Sequence, residues 1–383
     1  MSVTAPLGFL ASGVTAGLKD SGRPDLALVR NLGPEHVAAG VFTSNRVCAA
    51  PVTWSRQVLA DGRVDAVVLN SGGANACTGA QGFQDTHRTA ELVAATLDVS
   101  AGDVAVCSTG LIGVLLPMDR IETGVAAAAA ALSPEGGPDA ATAIMTTDTV
   151  PKTAAAARQG WTAGGMAKGA GMLAPALATM LVVVTTDAVT TVEDADAALR
   201  AATAVTFDRI DSDGCQSTND TVLLLSSGAS GIRVGRHELT AAVTEVCASL
   251  ARQLIADAEG ATHDIAVEVV EAASVGDALE VARSVARNTL VKCAVFGNDP
   301  NWGRILAAVG TTTAAFAPED LDVGINGVEV CRAGGVGEDR SLVDLSGREV
   351  HILVRLHAGA ETATVWTNDL THDYVHENSA YST

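Results

Sequence analysis

The sequence predicts an α/β or α+β protein in which β-sheets are covered by helices. Along the 383 residues, short apolar runs rich in β-branched side chains alternate with longer Ala-rich segments of helical periodicity. Strands and helices that alternate in this way pack as sheets with helices against their faces. Neither a repeat of fixed period nor a shift in composition marks a linker between domains. The length allows one large domain or two ordinary ones.

Each element is predicted from its local pattern. Strands are expected where β-branched apolar residues run together, and helices where apolar residues recur every third or fourth position. The hydroxyl of Thr191 can cap a helix, and Asp194 stands three positions on, close to a capping box. The breakers in 133–138 end the Ala-rich helix before them. The predicted strands are Val64–Leu69, Val104–Cys107, Leu181–Thr186, Val222–Leu225, Ile265–Val270, Leu321–Ile325 and Val350–Leu356. The predicted helices are Gly82–Leu97, Arg120–Leu132, Val192–Phe207, His237–Ala258 and Val275–Asn288.

Composition excludes several classes of partner. The formal net charge is −20, which argues against binding to nucleic acid or to an anionic membrane surface. A small anionic substrate stays possible, because one or two local cations are enough to hold it. The apolar stretches are too short to cross a bilayer, and the N-terminus lacks the charged and apolar regions of a signal peptide. A cytoplasmic protein is therefore expected.

Cysteine and histidine patterns do not predict a metal site or a disulfide framework. The seven cysteines are widely spaced and include no C-x-x-C pair. Cys77 and Cys107 lie in Gly/Ser/Thr-rich turns, which leaves a thiol nucleophile open beside the commoner role of a small buried side chain. His372 and His376 could hold a metal if they stood on a helix, but the residues around them are typical of an extended tail. A Ser/Thr-His-Asp triad also stays open, since its members meet only in space.

Thr179 is a candidate nucleophile. It follows a glycine-rich stretch that contains Lys168, and it precedes the apolar run Leu181–Val184. If the bond between Ala178 and Thr179 breaks, Thr179 gains a free α-amine and carries a nucleophile and a base on one residue. The alternative is a threonine that starts a strand, after glycines that serve turns.

Polar and glycine-rich clusters stand at the ends of the apolar runs, as is typical of functional loops on a rigid scaffold. The turn Ser108-Thr109-Gly110 could form an oxyanion nest, because successive backbone N–H groups converge in such turns. Each cluster also has a structural interpretation, with glycines for turns, Lys168 as a surface lysine and Glu259 as a solvated carboxylate. The clusters are 70–79, 108–113, 145–149, 164–179, 257–262, 297–304 and 377–383.

Together and in this order, the clusters resemble the ornithine acetyltransferase family of arginine biosynthesis. The resemblance covers nearly the whole chain, from Ala5–Phe9 to Glu377–Thr383. Its intermediate motifs are Leu69–Asn75, Ser108–Gly113, Ile144–Thr149, Lys168–Met172, Ala178–Leu181, Ser217–Asp220, Ala258–Gly260 and Gly297–Arg304.

This resemblance implies a precursor that cuts itself before Thr179 into an α chain (1–178) and a β chain (179–383), assembled as α2β2. Thr179 would take the acetyl group of N-acetylornithine as an ester and pass it to glutamate, which is ping-pong chemistry. No cofactor or metal is implied, although acetyl-CoA is a possible second donor. The implied fold is a pair of packed sheets flanked by helices, shared with certain self-processing aminopeptidases.

The resemblance also implies the site residues. Thr109 and Gly110 match the oxyanion hole, where the loss of one donor costs about 10²–10³ in rate. Lys168 can neutralise an α-carboxylate, and Glu259 can hold the cationic amine of ornithine. The substrate-contacting positions are Thr147, Lys168, Thr179, Glu259, Asn378 and Thr383.

The sequence leaves several alternatives open. Thr146 could take the place of its neighbour Thr147. His263 stands where many members are expected to have a lysine, which puts only the local charge in doubt. A related N-terminal-nucleophile aminopeptidase would release the acyl group to water instead of an amine. A non-catalytic amino-acid-binding protein would keep the pocket residues but tolerate the change Thr179→Ala.

Overall fold

The structure, a computed structural model, describes residues 2–174 and 180–380. The predicted nucleophile Thr179, its neighbour Ala178 and the C-terminal Thr383 therefore lie outside the described residues. The described chain forms two compact units of mixed α/β structure. Unit 1 takes in the described residues up to 208 together with 215–257, and unit 2 takes in 209–214 and 258–380.

Helices and strands alternate along unit 1, as the sequence predicts. Its strands are β1 (Phe9–Val14), β2 (Leu26–Asn31), β3 (Val37–Phe42), β4 (Ala66–Asn70), β5 (Val104–Ser108), β6 (Lys152–Arg158), β7 (Trp161–Lys168), β8 (Leu181–Thr186) and β9 (Thr221–Ser226). Its helices are α1 (Ala50–Val58), α2 (Gly79–Leu97), α3 (Met118–Ala130), α4 (Gly137–Ala143), α5 (Val192–Val205) and α6 (Arg236–Ala256).

Two sheets pack face to face inside unit 1, with helices on their outer faces. The first has the strand order β1-β2-β4-β5, and the second has the order β3-β9-β8-β7-β6. One hydrophobic core combines Val67 and Leu69 of β4 with Val183 of β8 and Leu223 of β9, so both inner faces contribute to it. Helices α2 and α3 pack on the outer face of the first sheet, and α5 and α6 pack on the second. These four layers confirm the pair of packed sheets that the resemblance implies.

The strands predicted in unit 1 are those buried on both faces. Every residue of β4, β5, β8 and β9 is buried, and β4–β5 and β8–β9 are parallel pairs. Parallel strands need such continuous apolar runs because both of their faces are covered. Helix α5 begins where predicted, since the Asp194 N–H donates a 3.2 Å hydrogen bond to the hydroxyl of Thr191.

Helix α6 corrects the expectation that every apolar stretch is too short to cross a bilayer. Its 21 residues suffice for a span by length and composition alone. However, nine of them are buried, and the helix packs on β6 and β7. Its apolar side chains therefore serve the core of unit 1.

Unit 2 is built on one six-stranded sheet of order β13-β12-β11-β14-β10-β15. Its core combines Val267 of β10, Val281 of α7 and Val365 of β15. The strands are β10 (Asp264–Ala272), β11 (Asp322–Ile325), β12 (Val328–Arg332), β13 (Gly335–Val336), β14 (Glu349–Arg355) and β15 (Glu361–Asn368). The helices are α7 (Val275–Arg287), α8 (Thr289–Phe296), α9 (Trp302–Val309) and α10 (His372–Ala380).

The last helix of unit 2 shows that the predicted extended tail was wrong. Residues 372–380 form α10, so His372 and His376 lie on one face of a helix. The ring of His372 packs edge-on against Phe296, with 5.5 Å between the ring centroids. In the part of the chain that the structure describes, no three His, Cys, Asp or Glu side chains form a metal-binding group.

Candidate active site

Lys168 lies at the end of the hairpin that contains the predicted cleavage point. It is the last residue of β7, it is buried, and its Cα partner in the antiparallel pair β7–β8 is Leu181. Leu181 is the second residue after Thr179 in the sequence. The β7–β8 pairing therefore fixes Lys168 beside the strand that Thr179 precedes, although Thr179 itself lies outside the described residues.

The Thr109–Gly110 turn meets Lys168 within unit 1. The Lys168 Nζ donates a hydrogen bond of 3.3 Å to the Thr109 hydroxyl. Gly110 has a φ of 130°, and a Cβ there would lie 2.7 Å from the nitrogen of Gly73, so only glycine fits. Two of the residues that the resemblance assigns to different roles thus lie in contact.

The hydrogen-bond donors that the Thr109–Gly110 turn can offer to a ligand differ from those of the predicted oxyanion nest. The Thr109 N–H already donates to the carbonyl of Asn70 at 3.0 Å, so it is not free for a ligand. Within 2–174 and 180–380, the Gly110 N–H makes no hydrogen bond. The Thr109 hydroxyl accepts from Lys168, and its own proton is donated to no acceptor among the described residues. The turn can therefore offer one hydroxyl and one N–H to a developing negative charge, not two successive N–H groups.

Asp148 ties the predicted Thr147 turn to the end of β7. Its Oδ1 accepts from the Gly169 N–H at 2.7 Å, and its Oδ2 accepts from the Thr146 N–H at 2.9 Å. The Thr146 hydroxyl also approaches Oδ2, at 3.5 Å. The Thr147 hydroxyl is half-buried and makes no hydrogen bond to any described residue. This difference favours Thr147 over Thr146 as the substrate contact, which stays a prediction.

The charge of Asp148 is fixed by two lysines. Burial raises the pKa of its carboxyl, but the charges of Lys168 and Lys152 and the Gly169 N–H outweigh burial and lower the pKa to about 2. Lys152 Nζ lies 2.7 Å from Asp148 Oδ1 and 2.5 Å from Asp257 Oδ2. Asp148 is thus a permanent anion beneath the Lys168 position at neutral pH.

Acid is expected to weaken unit 1 through Asp148. Its pKa is about 2 in the fold and about 3.9 in an unfolded chain, so its stabilising contribution is complete above pH ~4 and lost as the pH falls toward 2. The contribution corresponds to about 2–3 kcal/mol. Urea midpoints of the wild type and Asp148→Asn, measured from pH 7 to pH 2.5, should converge below pH ~4. A stability difference that stays constant over this range would contradict the linkage.

Asp220 is a residue that the sequence pattern did not single out for a role. Its carboxyl is fully buried, and Oδ1 accepts from the Met180 N–H at 3.1 Å. Burial raises the pKa of this carboxyl well above its ordinary value, against the Met180 N–H and nearby hydroxyls. Oδ2 has no hydrogen-bond partner among the described residues. Asp220 thus binds the backbone of Met180, the residue directly after Thr179. The sequence feature that could have identified it is an acidic residue placed directly before the apolar strand β9.

Cys107 is not a thiol nucleophile. Complete burial raises the pKa of its thiol to about 12, so the thiolate is not formed near neutral pH. Cys77 is exposed, with a positive φ of 56°.

Unit 2 brings Glu259 and Asn378 together. The Asn378 side chain, on α10, donates to Glu259 Oε2 at 2.9 Å. Glu259 also lines a cavity of about 200 Å³ with Tyr374 and Lys292. Burial lowers the pKa of Lys292 to about 8, and its Nζ donates to Ser212 O, Thr367 Oγ1 and Asn368 O. Because these acceptors use all three ammonium protons, Lys292 supports the wall of the cavity.

His263 stands at the position where the resemblance expects a lysine in many members. It is buried, and its Nδ1 lies 2.8 Å from Asp369 Oδ2. Its Nε2 lies 3.1 Å from the carbonyl of Leu345. Both ring nitrogens therefore lie within hydrogen-bond distance of an oxygen, so the side chain at this position contacts Asp369 and the Leu345 carbonyl.

Over nearly its whole length, this chain is similar in sequence to known proteins. The model of the ArgJ family matches residues 10–383. The arginine biosynthesis bifunctional proteins ArgJ of Streptomyces avermitilis and Streptomyces coelicolor are each 68% identical over 382 residues, with 100% of both chains covered. A crystal structure of ornithine acetyltransferase from Mycobacterium tuberculosis, complexed with ornithine, is 58% identical. That match covers 47% of this chain and 96% of that chain, with a TM-score of 0.45.

Proposed function

Since this chain belongs to the ArgJ family, it is an acetyltransferase of arginine biosynthesis, and we propose that it moves acetyl from N2-acetyl-L-ornithine to L-glutamate. The observation that supports this reaction best is the contact between Lys168 and Thr109, beside the Gly110 N–H, which donates to no described residue. A buried cation and two donors at the end of the β7–β8 hairpin suit an anionic substrate and an anionic intermediate.

Maturation by self-cleavage is part of the proposal. Thr179 Oγ attacks the carbonyl carbon of Ala178, the acyl group shifts from nitrogen to oxygen, and water hydrolyses the ester. The products are an α chain of 1–178 and a β chain of 179–383, which assemble as α2β2. The released α-amine of Thr179 has a reference pKa of about 7.7–8.0, which suits a general base near neutral pH.

The transfer itself then has two half-reactions. Thr179 Oγ bonds to the acetyl carbon of acetylornithine, and the bond from that carbon to the α-nitrogen of ornithine breaks. The α-amine takes the hydroxyl proton and returns it to the leaving nitrogen. The Thr109 hydroxyl and the Gly110 N–H stabilise the oxyanion, each worth about 10²–10³ in rate. The free amine of glutamate then attacks the ester and restores the Thr179 hydroxyl.

The resemblance assigns the substrate contacts, and the charge of each residue suits its proposed contact. Lys168 holds the α-carboxylate, with the Thr147 hydroxyl as a further contact. Glu259 holds the δ-ammonium group of ornithine, with Asn378 and Thr383 toward the amino-acid end. No metal or bound cofactor takes part. Acetyl-CoA serves as a second donor, in keeping with the word bifunctional in the names of the relatives, and the enzyme acts in the cytoplasm.

A single-turnover mass spectrum tests the reaction. The purified enzyme is mixed with N2-acetylornithine without an acceptor, quenched in acid, and analysed as intact chains. The chain that begins at Thr179 should gain one acetyl group, and added glutamate should remove it as N-acetylglutamate. Release of the group as acetate, with glutamate unreactive, would assign the protein to the aminopeptidase-like hydrolases instead.

A further inference from the structure

Lysine is rare in this chain, and each lysine is at least half-buried. The sequence has four lysines against twenty arginines. Lys152, Lys168 and Lys292 are buried, and Lys19 is half-buried. Lysine differs from arginine in its compact ammonium group and in the ease with which its pKa shifts on burial. Lys152 and Lys168 contact residues of the candidate site, Lys292 supports the cavity wall, and Lys19 lies in the turn between β1 and β2.

The turn that carries Lys19 is rigidly fixed. The carboxylate of Asp25 accepts from the backbone N–H groups of Ala16, Leu18 and Lys19 at 2.6, 2.6 and 3.0 Å. Asp25 is fully buried. Three charge-assisted hydrogen bonds to one buried carboxylate hold the backbone of this turn in a single conformation.

The same turn lies against the candidate active site. A Cβ on Gly72 would lie 2.3 Å from the Cβ of Leu18, so the turn packs directly on the Gly72–Gly73 loop. The Gly73 N–H in turn donates to the carbonyl of Thr109. On its other side, Lys19 Nζ donates to the carbonyl of Met145 at 2.6 Å. Lys19 therefore lies between the Thr109 turn and the turn that contains Thr147.

The ammonium group of Lys19 has no anionic partner in the described chain. Its Nζ donates to the carbonyls of Pro24 and Met145, and it makes no ion pair with a described carboxylate. Burial, together with the charges of Arg23 and Lys168, lowers its pKa to about 8, although Asp25 and Asp148 act in the opposite direction. The charges of Lys19 and Lys168 thus repel each other, an arrangement that an anionic ligand beside both would stabilise.

The two substrates differ in the charges that they bring to these two lysines. Acetylornithine brings one carboxylate and a cationic side chain, whereas glutamate brings two carboxylates. Lys168 can neutralise only one of these. We propose that Lys19 is a second carboxylate-binding cation of the acceptor site, which selects a dicarboxylate amino acid over an isosteric neutral one. This role deepens the proposed transfer to glutamate and rests on it.

Equilibrium binding of glutamate and of glutamine tests the proposal without needing turnover. Calorimetry is carried out on the wild type, Lys19→Met, Lys19→Arg and Arg23→Met. We expect Lys19→Met to weaken glutamate binding about 10- to 100-fold, the worth of one hydrogen bond to a charged group, with little effect on glutamine. Lys19→Arg should restore part of the preference. Arg23→Met removes an exposed cation of the same loop and should leave the ratio unchanged.

The outcomes separate this proposal from the proposed reaction. An unchanged ratio of glutamate to glutamine affinity in Lys19→Met would overturn the role of Lys19. Equal weakening of both ligands, with a lower Tm, would also overturn it and make Lys19 a structural tie to Met145. If the wild type prefers glutamate but never transfers acetyl to it, the proposed function fails while the binding role of Lys19 stands.

Discussion

Replacing Thr179 with alanine is expected to leave the chain uncut and without acetyltransferase activity. One hydroxyl performs both steps in the proposed mechanism, the attack on Ala178 during maturation and the attack on the acetyl donor in turnover. Without it there is no free α-amine to act as the base. Denaturing intact-mass spectrometry should show one chain of 383 residues instead of chains 1–178 and 179–383.

Two further variants serve as controls for Thr179→Ala. Thr179→Ser keeps a hydroxyl and should still cut and transfer acetyl, although more slowly. Thr191→Ala removes an exposed threonine hydroxyl that caps α5, so it should cut fully and cost only about 1 kcal/mol of stability. A Thr179→Ala protein that is cut between 178 and 179, or that transfers acetyl, would rule out Thr179 as the shared nucleophile.

Local patterns predicted the parts of the fold that local physics decides. The predicted strand Leu181–Thr186 agrees with β8 residue for residue, because a β-branched apolar run buried on both faces has no competing structure. Helix α5 begins at Val192 because Thr191 caps it. Helix α7 begins at its predicted first residue, Val275, for the same reason, since Ser274 accepts from the Asp277 N–H.

Strands β6 and β7 could not be predicted from local pattern. Alanines fill the middle of β6, and β7 contains Gly164 and Gly165, residues with weak strand propensity. Tertiary packing, not local propensity, determines that these residues form strands. A Cβ at Gly165 would lie 2.9 Å from a methyl group of Val246, so glycine allows α6 to approach the sheet closely. The pairing with β8 then supplies the hydrogen bonds that propensity alone would not secure.

In the candidate site, too, the sequence predicted the residues but not the contacts between them. Motif order and residue chemistry singled out Lys168, Thr109 and Thr147. The contact of Lys168 with Thr109 spans 59 residues, and that of Lys152 with Asp257 spans 105. The first pair follows from the packing of two sheets and the second from the packing of α6 on β6, and no spacing in one sequence reveals them. The sequence placed Asp257 in the polar cluster 257–262 but did not indicate its contact with Lys152.

Replacing Lys152 with methionine is expected to destabilise the protein more than any surface change. Lys152 is fully buried between Asp148 and Asp257, with Nζ–O distances of 2.7 and 2.5 Å. Methionine fills a similar volume but leaves two carboxylates without their cation. Removal of one partner from a buried ion pair costs about 3–5 kcal/mol, so the urea midpoint at pH 7 should fall markedly.

The same strand offers a matched control. Arg158 ends β6 and forms an ion pair of 2.7 Å with Glu245, but both side chains are partly exposed. Arg158→Met should therefore cost only about 0–1 kcal/mol. Adding Asp148→Asn to Lys152→Met removes one of the two unpaired carboxylates. The double variant should therefore regain part of the lost free energy of unfolding, because the uncompensated buried charge causes that loss. If Lys152→Met and Arg158→Met unfold at the same urea concentration, the buried cluster does not stabilise the fold, and the low pKa of Asp148 must have another origin.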